Sequence, residues 1–315
     1  MRGFILRRTA LLFGTVLAAS IAIYAAMYAA PGDPISVLTG GRQVTPEARA
    51  VMVERYHLDE PLPVRYWRWL TNAFRGDFGY SIATREDVST LIAQRALTTI
   101  ELVGYASLII VVVGIAVGVL SALKPGLVDT CALLVTTLLA AMPSFVAALI
   151  LISVFAVNLR WFPALGEGEG FTGRLEHLVL PAVALASSSL ALVARITRTS
   201  VRAESKREHV QTAISRGLPA SVVLRRHILR NAAIPITTVT GLTIATLIVL
   251  VSVVEEAFNL NGLGSTLVNA AQNKDFAVVQ AVSLIMVVAF VLINGIVDVL
   301  YAVLDPRVSL GAAAS

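Results

Sequence analysis

This chain of 315 residues contains a single cysteine, Cys131, and only 14% of its residues are charged. With one thiol no intrachain disulfide forms and no cysteine-based metal site can be assembled. The shortage of charge excludes more. A soluble domain carries about a quarter charged residues, whereas 57% of this chain is hydrophobic, so a typical soluble enzyme is ruled out. No GxxxxGK[ST] phosphate loop occurs, and any ATPase that powers this protein is therefore another chain. The four histidines, His57, His177, His209 and His227, are scattered over three loops, which argues against a membrane-bound enzyme. The only GxGxxG match, 168–173, lacks a surrounding βαβ unit and has Glu167 and Glu169 beside it, so it reads as a flexible loop and not as a dinucleotide site.

Long apolar runs dominate what is present. Six stretches, 9–30, 102–123, 131–157, 178–194, 234–254 and 276–301, are nearly free of charge. Each is close to the ~20 residues a helix needs to cross about 30 Å of hydrocarbon. The fold class expected is all-α: a polytopic membrane protein with six transmembrane helices. The first run follows Arg2, Arg7 and Arg8, as a signal peptide would. It spans 22 residues and its end, YAAMYAA, offers no small-x-small cleavage pair, so a retained span is expected. If that span crosses outward, the cytoplasmic pieces carry 14 Lys and Arg against 3 in the short outer loops, which places both termini inside. The organisation expected is a tail and first span (1–30), an extracytoplasmic module (31–96) and a core (97–315) with a cytoplasmic loop at 195–233.

The outer module begins with a rigid PGDP turn (31–34) and has helical patterns at 45–57 and 62–74. Tyr66, Trp67, Trp69 and Phe74 crowd the second. Aromatics of this kind either sit at the membrane interface or anchor a partner protein. Gly114 and Gly118 form a GxxxG that lets helix backbones approach closely, and Pro143 and Pro181 predict bends in spans three and four. Glu101, Glu255, Glu256 and Asp298 lie near span ends, where intramembrane acids are functional candidates unless they snorkel to the interface. Glu101, Asp298, Ser188 and Asn294 are the positions taken as lining a path; Ser187 and Ser189 are polar neighbours.

Loop 195–233 holds nine basic residues against Glu204 and Glu208. Positive-inside bias alone would supply the charge; it does not supply the punctuation. A helix over 195–215 should end at Gly217 in a left-handed stop, with a fresh short helix over 219–230 after Pro219. The segment has no Phe, Tyr or Trp to stack on bases, so a protein socket, and not nucleic acid, is its expected partner.

Residues 209–235, HVQTAISRGLPASVVLRRHILRNAAIP, resemble the EAA-type loop of permease subunits of binding-protein-dependent ABC importers, in the dipeptide, oligopeptide and nickel branch. The matching positions are Ala213, Gly217, Arg226, His227, Arg230, Asn231 and Pro235. PGDP (31–34), RGDFGYS (75–81), MPSFV (142–146), WFP (161–163), HLVLPA (177–182), NLNGLG (259–264) and LDPRV (304–308) resemble that branch's landmarks in its order. Gln211 stands where the broader pattern places Glu, so a neutral hydrogen bond replaces an ion pair there. The resemblance implies an inner-membrane permease for small peptides, or for nickel or another small solute; a secondary transporter is the less favoured reading, with no repeat visible between the halves. It further implies a second homologous permease, two ATPases or one fused chain, an external solute-binding protein, and the lipid bilayer as partners. ATP and Mg would bind the partner subunits, and no cofactor or metal this chain. Val210, Gln211, Ala213, Ile214, Arg216, Gly217 and Leu218 would meet the ATPases, and Tyr66, Trp67, Trp69 and Phe74 the binding protein or its vestibule.

Overall fold

The computed structural model describes residues 2–29, 45–47, 50, 53 and 59–304. The PGDP turn, most of the helical pattern at 45–57 and residues 305–308 of LDPRV lie outside the described residues. Every regular element among those described is helical; an isolated bridge between Tyr80 and Asp87 closes a small outer loop.

Helix α1 (Arg2–Ala29) is one uninterrupted apolar rod, and α2 (Leu62–Phe74) begins after Pro61. α3 (Val88–Ile109) passes through a π-turn, Ile110–Gly114, into α4 (Ile115–Leu123), so the second span is one continuous rod. The third span is not. α5 (Leu127–Ala141) and α6 (Ser144–Leu151, continued as a π-helix over Ile152–Asn158) meet at an angle of 108°. The cause is local: Pro143 disfavours helix in the residue before it, and Met142 is extended at ψ 121°. The sequence predicts a bend within a single span; the structure has a break. Among the described residues there are therefore five helices long and apolar enough to cross a bilayer, or six if the bent pair counts as one span.

α7 (Gly170–Ser205) carries Pro181 inside it and runs on past the apolar stretch. α8 (Glu208–Ser215) follows, then a turn at Ala220–Val222, a π-stretch Val223–Ile228 and α9 (Leu229–Ala257). The separate short helix expected over 219–230 is instead the beginning of the fifth span. α10 (Leu263–Gln272) and α11 (Phe276–Leu304) complete the described residues.

α7 is the axis of the bundle: 72% of its most apolar window is buried, against 11% for α1, which lies at the periphery. The main core joins α3, α6, α7 and α9 through Leu102, Ala106, Ala148, Leu185, Leu247 and Val251. The GxxxG of the second span is spent within this core. A Cβ on Gly118 would lie 2.5 Å from Thr197 Cβ and 2.6 Å from the Ala194 carbonyl oxygen, so α4 and α7 touch backbone to backbone.

Candidate functional site

The segment expected on the cytoplasmic side folds as a knuckle between the end of α7 and the start of α9. α7 stops at Ser205, and α8 opens with Glu208 in its first turn, where an acid suits the helix dipole. Val210 and Ala213, three residues apart, share one face of α8. Both are buried against Val201, Val223 and Ile228, which form a closed apolar base. At the far end Gly217 takes φ 72°. Its N–H donates to the Ile214 carbonyl at 2.9 Å and the N–H of Leu218 to the Ala213 carbonyl at 3.3 Å, the paired bonds of a Schellman closure. Pro219 then starts the next leg.

Polar bonds tie the two legs together. Asn231 Nδ2 donates to Glu204 Oε1 at 2.9 Å and lies 3.3 Å from His209 Nε2, while Glu204 also meets His209 at 3.3 Å and Arg207 at 3.7 Å. Gln211 donates from Nε2 to the Ser205 carbonyl at 3.2 Å. Of the residues expected to meet a partner, Gln211, Ile214, Arg216, Gly217 and Leu218 are exposed at the tip, with Ile214 at 54% and Leu218 at 40%. Val210 and Ala213 face the other way and hold the tip up from beneath.

A charge cluster at the foot of the knuckle escaped the sequence reading. Asp129, on the first turn of α5, accepts a two-pronged pair of bonds from Arg198 at 2.6 and 2.8 Å, a third from Arg202 at 2.7 Å and a fourth from Ser121 Oγ at 2.5 Å. It joins the ends of α4, α5 and α7 nearest the knuckle. The signal was there: Arg195, Arg198 and Arg202 recur at helical spacing on one face of α7.

The end of the bundle expected to face outward is pinned by buried acids. Glu255, fully buried, accepts from Thr99 Oγ1 at 2.6 Å and from the Ser265 N–H at 2.9 Å. Thr99 in turn accepts from the Leu263 N–H at 2.8 Å. Gly262 passes so close that a Cβ would overlap the Glu255 carboxylate, which explains a glycine in NLNGLG. Asp275 accepts from Ser81 Oγ at 2.5 Å and from the Ala83 N–H at 3.1 Å, fixing the loop that contains RGDFGYS. The stretch 168–173, expected to be part of a flexible loop, is helical from Gly170 onward as the first turn of α7, and the loop before it is held as well: Glu167 accepts from the Asn261 N–H at 2.8 Å, and the Gly166 N–H donates to the Phe258 carbonyl at 3.1 Å.

Three of the four residues expected along a path have partners of their own. Glu101 pairs with Arg174 at 3.1 Å near the outer end, Asp298 pairs with Arg8 of α1, and Asn294 donates to the Phe290 carbonyl one turn back at 2.9 Å. Ser188 is half-buried on the central helix α7. The four aromatics of α2 divide into two sets. Tyr66 and Trp69 stack on Tyr24 of α1, with ring centroids 5.4 and 5.6 Å away, while Trp67 and Phe74 are exposed.

Residues 114–310 match the family described as binding-protein-dependent transport system inner membrane component, and residues 1–103 match its N-terminal companion. The chain is 36% identical to the oligopeptide transport system permease protein AppB of Bacillus subtilis, covering 98% of this chain and 99% of that one. It is 35% identical to the probable peptide ABC transporter permease protein y4tP of Sinorhizobium fredii, covering 97% and 98%. The fold resembles that of the MetNI methionine ABC transporter in an inward-facing crystal form, with a TM-score of 0.54 at 16% identity over 68% of this chain and 96% of that one.

Proposed function

The chain belongs to the family of binding-protein-dependent transport inner membrane components, and on that premise we propose how it does its work. It is a multi-pass permease subunit of the cytoplasmic membrane in an ABC importer for peptides. A second permease subunit pairs with it, ATPase subunits bind beneath the pair, and an external solute-binding protein delivers the peptide to the outer face. The ATP and Mg belong to the ATPases, and this chain carries the conformational change.

The observation that carries the mechanism is the left-handed stop at Gly217 on a closed apolar base. It presents Ile214 and Leu218 as two apolar contacts amid Arg216 and Gln211, a shape suited to a shallow protein socket. Because Val210 and Ala213 lock the tip to both legs, a displacement of the tip moves the end of α7 and the start of α9 together. α7 is the buried axis, so that movement reaches the whole bundle. ATP closes the ATPases and changes which contacts the tip makes, and this differential contact shifts the bundle between two states. The outer loops, pinned by Asp275, Glu255 and Glu167, form a firm rim for the binding protein.

The test is uptake of a labelled dipeptide and a labelled oligopeptide by the complex reconstituted in vesicles. Uptake that needs both ATP and the binding protein supports this reading. Uptake driven by a proton gradient without ATP overturns it.

A further inference from the structure

We propose that α2 is an interfacial helix, seated in the headgroup layer beside α1 with Val64, Trp67 and Phe74 turned into the acyl region of the bilayer. The depth of its attachment carries the argument. Tyr66 OH lies 2.8 Å from Ser20 Oγ, and Ser20 lies inside the apolar span Arg7–Met27. Seven residues separate Ser20 from Met27, which at 1.5 Å per residue is about 10 Å. The Tyr66 hydroxyl is therefore below the end of the span, and a helix about 10 Å across that is bonded at this depth cannot stand clear of the membrane.

The second argument is the division of α2 into three sides. Tyr66 and Trp69 turn toward α1, where Tyr24 and Ser20 are covered although most of α1 is exposed, and Leu70 is buried. Val64, Trp67 and Phe74 recur at spacings of three and seven, which places them on one face. They are 48%, 64% and 74% exposed. Thr71 falls on this arc as well, its hydroxyl donating back to the Trp67 carbonyl at 2.9 Å, and Arg68 and Asn72 make a polar edge beside Val64, with Arg68 reaching Glu60 at 2.7 Å. An apolar face, a polar edge and a side docked on a peripheral spanning helix are what a helix lying in the interface plane requires. Tryptophan is enriched at that level because its ring is apolar and its N–H is not. α1 itself exposes Leu11, Phe13 and Ile21, as a helix at the lipid boundary does.

The proposal assigns Trp67 and Phe74 to lipid and leaves the binding protein to the pinned loops. α2 then works as a float that levels the outer module against the leaflet and steadies α1. The leaflet is the outer one if the termini are inside, a point that rests on the topology and is tested separately.

Nitroxide labelling of the assembled complex decides it. Cys131→Ser removes the native thiol, and Val64→Cys, Trp67→Cys, Phe74→Cys and Arg68→Cys each place one label. Collisions with oxygen, which concentrates in lipid, are compared with collisions with a water-soluble nickel chelate. Oxygen should exceed chelate at positions 64, 67 and 74, with the order reversed at 68. Free access of the chelate to 64 and 67 would mean an aqueous surface kept for the binding protein and would overturn the proposal. Protection from both reagents would mean cover by the second permease subunit and would overturn it too. Position 64 retains the aromatic anchors, so the test stands even if Trp67→Cys fails to assemble.

Discussion

Gly217 is the residue on which the knuckle turns. Nothing lies within 4 Å of the position a Cβ would occupy, so only the backbone, at φ 72°, selects against a side chain. A β-branched residue held there costs about 1–2 kcal/mol, while asparagine tolerates the left-handed region. Gly217→Asn should thus keep most uptake and Gly217→Val should not, which parallel uptake assays with the two variants would read. Gly262 is limited by space instead. Gly262→Ala pushes a methyl group into the Glu255 carboxylate and should cost about 1–3 kcal/mol as overpacking does, seen as a lower melting temperature of the purified complex. The glycine and proline punctuation made Gly217 legible in the sequence. The role of Glu255 was not legible, because Glu255 and its neighbour Glu256 look alike until the fold brings Thr99, 156 positions away, to one of them.

The helices show the same limit of sequence reasoning from another side. The pattern of α8 is readable, yet an apolar pair three residues apart looks the same whether it faces its own legs or a partner. Val210 and Ala213 therefore fell among the contact residues, when they form the support. Pro143 announces a bend but not whether the helix kinks or breaks; the extended backbone of Met142 makes it a break of 108°. The GxxxG foretold a close crossing without naming the helix crossed, which is α7 of the same chain and not a partner subunit. Asp129 joins three helices at the foot of the knuckle, so Asp129→Asn removes the charge that holds Arg198 and Arg202 while keeping the shape. This change should leave ATPase-subunit retention intact and lower the peptide transported per ATP hydrolysed. Retention measured by co-purification, together with the uptake-to-hydrolysis ratio, would show it; an unchanged ratio would assign the cluster to static packing.

Across the whole molecule, the six apolar runs and the placement of the arginines carry the reading of a polytopic membrane protein, and the cytoplasmic-loop motif with the order of the short landmarks carries the family resemblance and its branch. The 14-to-3 distribution of basic residues predicts that both ends lie inside. With Cys131 replaced, a cysteine at position 60 should react with a membrane-impermeant maleimide from the outside only, and labelling from the cytosolic side alone would reverse the topology. The central claim is that the 208–218 knuckle passes the ATPase stroke to the bundle. The measurement that tests it most directly is the ratio of peptide uptake to ATP hydrolysis in reconstituted complexes carrying Gly217→Val, compared with Arg216→Gln. The account predicts a complex that inserts and still hydrolyses ATP but loses most uptake with Gly217→Val, and a much smaller loss with Arg216→Gln. Wild-type uptake and full ATPase-subunit retention by Gly217→Val would contradict it.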